Sequence, residues 1–289
     1  DVPLQKAMKA GCYPEMLAFM QGFLSCLKPG DTMCLEDGRH AVQKAVLTGC
    51  LRVSKASIFT DLNNLNVNSV CTQGGPLSSA IGFTPSEVED LLAFYGLETQ
   101  GAVVKDWYDG YRIGKAELYC PWDVIHFCDD ILADGVDLKT FKPQNYWIDT
   151  SSHDALQPYI DYLTKADSDM MQALVDGEEI ETTLNEQVAY GDLHAHRPED
   201  FWTLLLFSGY LTVAGRKGDA YRLKIPNEEV RDAFKRRIQW MFSPRNPGFA
   251  SSGVQLKNAA LAGDADAMSN VLFEVLADFV SIRDSATRA

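Results

Sequence analysis

Gly110-Tyr111-Arg112-Ile113-Gly114-Lys115 is the stretch that comes nearest to a phosphate cradle. A P-loop needs four residues between its glycines and a Ser or Thr after its Lys. Backbone N–H groups can then wrap the phosphates while the hydroxyl reaches Mg²⁺. Here three residues separate the glycines and Ala116 follows the Lys, so the stretch reads as a Gly-rich turn rimmed by aromatics. Asp137-Leu138-Lys139 has the ending of a nuclease metal motif, but such a site needs a further carboxylate from a neighbouring strand. Asp134-Gly135-Val136-Asp137 marks a solvated turn there instead. His194 and His196 stand two apart, a spacing that suits a metal only when other ligands join, and Pro198 with its acidic neighbours marks a loop. His153-Asp154 lies at a helix start, where an Asp favours the helix dipole. No Gly-x-Ser-x-Gly elbow occurs. Trp107-Tyr108-Asp109-Gly110-Tyr111 is dense in aromatics and reads as a turn packed against Pro121-Trp122.

Seven cysteines fall in the first half of the chain, an odd number with no Cys-x-x-Cys pair. They read as reduced, buried thiols of a cytoplasmic protein, without the ligand spacing of a zinc site. The 40 acidic residues outnumber the 26 basic ones, for a net charge of −14. Such a surface repels a phosphate backbone, so nucleic acid is not an expected partner. Lys235-Arg236-Arg237 is the one short basic run, and on a helix its side chains point three ways. No apolar run reaches the ~20 residues of a membrane span.

The elements that must position any site follow from periodicity. Residues 3–27 are apolar at helical spacing, with Pro14 opening a second helix after a break at Gly11-Cys12-Tyr13. Ala45-Val46-Leu47-Thr48-Gly49 reads as a buried strand. It empties into a polar stretch from Arg52 to Asn66, the place where open α/β sheets bind ligands. Thr84-Pro85-Ser86-Glu87 is a capping box with Pro at the first helical position, and Gly96 stops that helix. Further helices are expected from Pro121 and after Ser151-Ser152. From 199 to 242 the order is helix, hairpin, helix. An apolar helix runs from Phe201 to Phe207, and a strand covers Tyr210-Leu211-Thr212-Val213. Tyr221, Leu223 and Ile225 then alternate with Arg222 and Lys224, and Asn227 caps a helix with Glu228 and Glu229 in its first turn. This is the order of a winged-helix-like module, read here as a structural part rather than a DNA reader. A final helical region is expected over 254–281.

Ordered blocks across these elements resemble one bacterial family. They are Val46-Leu47-Thr48-Gly49-Cys50-Leu51-Arg52-Val53-Ser54-Lys55, Leu62-Asn63-Asn64-Leu65, Gly82-Phe83-Thr84, Trp107-Tyr108-Asp109-Gly110-Tyr111 and Pro121-Trp122. Tyr146-Trp147, Leu206-Phe207-Ser208-Gly209-Tyr210-Leu211 and Arg222-Leu223-Lys224-Ile225-Pro226-Asn227-Glu228-Glu229-Val230 continue the series. The family is that of AAA-ATPase-like proteins that usually carry a C-terminal PD-(D/E)XK nuclease-like domain.

The resemblance implies an α/β fold at the N-terminus, part of an AAA-type P-loop sheet. A mostly α lid and a winged-helix-like α+β module follow. It implies four parts: 1–80 as the far portion of the nucleotide-binding core, 81–198 as the lid, 199–242 as the winged-helix-like module and 243–289 as a helical lead-in to a nuclease-like domain. Asp1-Val2-Pro3 resembles the residues just past Walker B, so the chain is expected to start after Walker A and Walker B. Thr48 then matches a sensor-like position that contacts the γ-phosphate or the attacking water, with Arg52 and Asn64 beside the nucleotide. ATP and Mg²⁺ are expected in the full-length parent and not on this chain alone. The remainder of the ATPase core is the expected partner. A non-catalytic adaptor that binds a protein partner is the alternative. A third reading, nucleic-acid handling through the tail, requires an attached nuclease domain.

Overall fold

A computed structural model describes residues 2–27, 42, 44–51, 66–72, 75, 77–133, 136–138, 140–147, 164–188, 197–242 and 247–279. The chain divides into two compact units, Asp1–Ala233 and Phe234–Ala289.

Helices α1 (Val2–Ala10) and α2 (Tyr13–Leu24) open the first unit. Gly11, at φ +72°, makes the break between them, and Pro14 sits in the first turn of α2. Leu4, Ala7 and Leu24 are buried, while Phe19 and Phe23 stack on each other at 6.4 Å and face solvent.

Residues 44–49 form no strand and are exposed, with Val46 at 85%. The expected buried strand at 45–49 is therefore corrected. A single extended segment leaves its N–H and C=O groups without ladder partners, and no strand precedes residue 111 among the described residues. Cys12 and Cys50 are exposed as well, against the expectation of buried thiols, whereas Cys71 and Cys128 are buried.

Helix α3 (Pro85–Phe94) carries the expected capping box, Thr84 with Glu87. It ends at Gly96, φ +69°, with the Leu97 amide returning to the Leu92 carbonyl at 2.8 Å. Helix α4 (Gly101–Tyr108) leads into a two-stranded hairpin, β1 (Tyr111–Ile113) and β2 (Ala116–Leu118), and α5 (Pro121–Ile131) follows. Val88, Leu92, Val104, Tyr108, Val124, Phe127 and Ile131 form one core between α3, α4 and α5.

Helix α6 (Lys165–Val175) precedes β3 (Ile180–Thr182). Then come α7 (Pro198–Phe207), β4 (Thr212–Lys217), β5 (Ala220–Lys224) and α8 (Glu228–Phe242). The helix, hairpin, helix order matches the periodicity. The sheet has three strands in the order β3-β5-β4, all antiparallel, so it draws a strand from the region assigned to the lid. The boundary expected between 198 and 199 is thereby crossed by β3–β5 hydrogen bonds. Trp202, 1% exposed, donates its indole N–H to Asp167, the capping-box acid of α6, at 3.2 Å.

The second unit contains α9 (Pro247–Ala262) packed on α10 (Ala265–Phe279). Gly263, φ +67°, divides the helical region expected over 254–281, and Asp264 caps α10 through the Ala267 amide at 2.9 Å. Ala259 and Val271 are buried, while Leu261 and Phe273 are exposed.

Candidate functional site

Of the residues implied for nucleotide contact, Thr48 lies in the exposed irregular segment 44–49, and Arg52 and Asn64 lie outside the described residues. His153, His194 and His196 also lie outside the described residues. The turn expected at 134–137 begins at residues outside the described ones; Asp137 itself opens the next turn, its carbonyl accepting from the Thr140 amide at 3.0 Å.

What the fold brings together is a buried polar junction between the blocks at 107–111, 120–123, 146–147, 209–212 and 226–230. Gly110 holds φ +96°, and a Cβ there would stand 2.1 Å from the Pro226 carbonyl oxygen. The glycine serves chain packing, and the stretch 110–115 is a hairpin rather than a phosphate cradle. Asn227, 5% exposed, joins two segments at once. Its Nδ2 donates to the Asp109 carbonyl at 2.9 Å, and its Oδ1 accepts from the Val230 amide at 3.0 Å, capping α8. The Cys120 amide donates to the Tyr108 carbonyl at 3.2 Å, and the Tyr111 hydroxyl donates to the Gly209 carbonyl at 3.2 Å. The Arg112 amide donates to the Thr212 hydroxyl at 2.8 Å. Gly209, at φ +83°, lets the Trp147 ring approach within 3.2 Å of where a Cβ would be. Trp107 and Tyr108 end α4 and Tyr111 begins β1, so the aromatic stretch expected as a turn is a packed link from helix to hairpin whose partners extend beyond Pro121-Trp122.

Three carboxyl groups are sealed in this junction. Asp109 is 8% exposed, Asp123 1% and Glu229 0%. Glu229 Oε1 accepts from the Trp147 amide at 2.9 Å. Asp109 Oδ1, both oxygens of Asp123 and Glu229 Oε2 have no donor when all three groups are ionised. Burial is the main cause that raises each pKa. Asp123 and Glu229 are neighbours, and each bears on the other's titration; for Glu229 burial and the Asp123 charge push it up to about 8. Burial and the Asp123 charge likewise push the Cys120 thiol up to about 12, which keeps it a thiol and a poor nucleophile. The residue types expected at a helix start are all present, but Glu229 is not the solvated first-turn acid that its position beside Glu228 suggests. The available signal is spacing: Glu229 stands two residues after Asn227 and four before Ala233, which lies on the buried face of α8.

On the outer face of α5, His126 lies between two aromatic rings, 4.0 Å from Trp122 and 5.6 Å from Tyr146. Its Nδ1 is 2.8 Å from the Trp122 carbonyl oxygen, and Tyr146 donates to Asp130 at 2.7 Å. Among the described residues no three His, Cys, Asp or Glu side chains are grouped to hold a metal ion. No helix among them is long and apolar enough to cross a membrane.

No family model matches the chain, and no solved structure matches it. A curated relative, described as an uncharacterized protein in the vnfD 5′ region of Azotobacter chroococcum mcd 1, is 28% identical over 240 residues. The match covers 80% of this chain and 41% of the relative, so the chain spans less than half the length of the protein it matches.

Proposed function

We propose that this chain is the sensor, lid and interaction portion of an AAA-like P-loop ATPase. One observation carries the reading. Four of the blocks that resemble the AAA-ATPase-like family, at 107–111, 146–147, 206–211 and 222–230, are direct partners in one buried junction. Blocks that resemble a family in order and also pack on one another behave as one inherited unit. The matching of a chain to less than half of a longer relative fits a portion of a larger protein.

The described residues do not themselves fit ATP or Mg²⁺. Thr48 offers one hydroxyl on an exposed segment, and no metal-ligating group of three is present among them. A P-loop and an acidic pair from elsewhere in the parent would have to supply the phosphate and metal contacts. Calorimetry of ATP into residues 1–289 should accordingly show no binding in the micromolar range, whereas micromolar affinity would refute the proposal. An adaptor for a protein partner is the second reading. The exposed, stacked Phe19 and Phe23 on α2 favour it. A Walker A loop encoded elsewhere in the parent supports the ATPase, and a parent without one supports the adaptor.

A further inference from the structure

We infer that Asp123 and Glu229 hold a single proton between them, and that this proton is a pH-sensitive latch fastening the start of α8 and the 145–147 segment to the start of α5. The two carboxyls come from different helices, the third residue of α5 and the second of α8, and both are almost fully buried. With both ionised, three of their four oxygens have no donor, because only Glu229 Oε1 is served, by the Trp147 amide. One proton serves two of those three oxygens, its own and the one it is donated to, and leaves one Asp123 oxygen toward the Cys120 thiol. The neutral carboxyl donates to its charged neighbour, and a charge-assisted hydrogen bond replaces like-charge repulsion in a site that excludes water. With the proton on Glu229, whose Oε1 keeps the Trp147 amide, the remaining charge sits on Asp123 in the first turn of α5.

The other titratable groups around the pair have their protons placed elsewhere. From α4, Tyr108 donates to the Gln144 carbonyl; from β1, Tyr111 donates to the Gly209 carbonyl. From the 145–147 segment, Tyr146 donates to Asp130. Asp109 is itself a carboxyl short of a donor. Cys120, just before α5, offers a weak thiol donor toward Asp123. On α5, a positive charge on His126 would favour the charged form of Asp123. On α8, Arg231 pairs with Glu228 rather than with Glu229. The donor that the pair lacks is thus best supplied by its own proton.

The sign follows from the direction of the shift. Glu229 keeps its proton in the folded protein up to about pH 8 but loses it near its ordinary value of 4.5 when unfolded. Folding stability is then fully present below the unfolded pKa and falls as pH rises through the folded one, by about tenfold in the folding equilibrium constant per pH unit for one retained proton. Glu229→Gln imitates the protonated state permanently. Its amide oxygen accepts from Trp147 while its NH₂ donates to Asp123.

Two measurements on the full chain test the latch. Denaturant unfolding should show stability falling from pH 6 to about 8 in the wild type and levelling off by pH 9, with a much shallower fall in Glu229→Gln and Asp123→Asn. Parallel slopes in wild type and variants would overturn the inference. Infrared difference spectra of the wild type, which need no variant to fold, should show a protonated carboxyl band at pH 7 that disappears through about pH 8. Its absence at pH 7 would overturn the inference equally.

Discussion

The junction around Glu229 and the segment around Thr48 serve their polar groups in opposite ways. At the junction, distant segments supply one another's polar groups: Asn227 bridges Asp109 and α8, Trp147 supplies Glu229, and Thr212 accepts from Arg112, while oxygens of Asp109, Asp123 and Glu229 are left without a donor. Around Thr48 an apolar run lies open to solvent, with Val46 at 85% and Leu47 at 47% exposure. Burial of an apolar side chain is worth roughly 1.5–3 kcal/mol, so exposed valine and leucine side chains leave a favourable term unused. A region completed by its own chain is stable without help. Around Thr48 the apolar side chains have no such cover among the described residues.

That contrast can be broken first at Gly110. Gly110→Ala places a methyl group 2.1 Å from the Pro226 carbonyl at φ +96°, so the backbone must move. Denaturant melts should show a loss of at least about 3 kcal/mol. Gly96→Ala, also at positive φ but facing open space, should cost only about 1–2 kcal/mol. Equal losses would mean that the junction is no tighter than an ordinary helix end.

Asn227→Ala removes a buried cap and strips the Asp109 carbonyl of its donor. The expected loss is about 2–4 kcal/mol, and Asn227→Asp should recover the cap while still leaving that carbonyl unserved. Full recovery by Asp would show that only the cap matters. At the other region Thr48→Ala in this chain should change stability by less than about 0.5 kcal/mol, because the side chain is exposed on irregular backbone. A larger loss would show that the segment is structured in solution. A fluorescence-anisotropy titration with duplex DNA at ~150 mM salt should stay flat, since a net charge of −14 removes the counterion-release term. A steep salt-dependent isotherm would make the helix, hairpin, helix region a DNA reader.

Local signals in the sequence were legible where they are self-contained. The Thr84 box, Pro121, the alternation of Tyr221 and Leu223 with Arg222 and Lys224, and the Asn227 cap all depend on neighbours within a few residues. Elements that need distant partners were not. The run at 45–49 has strand composition but no ladder partner here, and periodicity does not tell whether a partner exists. Glu229 occupies a position where an acid normally favours the helix dipole in water. Only the arrival of Asp123 and Trp147 from other segments makes it a buried, proton-holding group. The split at Gly263 was marked by the glycine itself, yet the apolar pattern continues through it and hides the turn.

We propose that Thr48 acts on nucleotide held by other parts of a larger ATPase. It is tested most directly by measuring ATP turnover, ATP affinity and thermal midpoint on one preparation of the longer parent, wild type against Thr48→Ala. A group that orients the attacking water or the γ-phosphate acts chiefly in the transition state. Loss of one such hydrogen bond is worth ~1.5–3 kcal/mol. The account predicts kcat lower by about ten- to a hundredfold, with Kd for ATP and the midpoint unchanged. A parent that does not turn over ATP, or a variant whose kcat is unchanged, would contradict it.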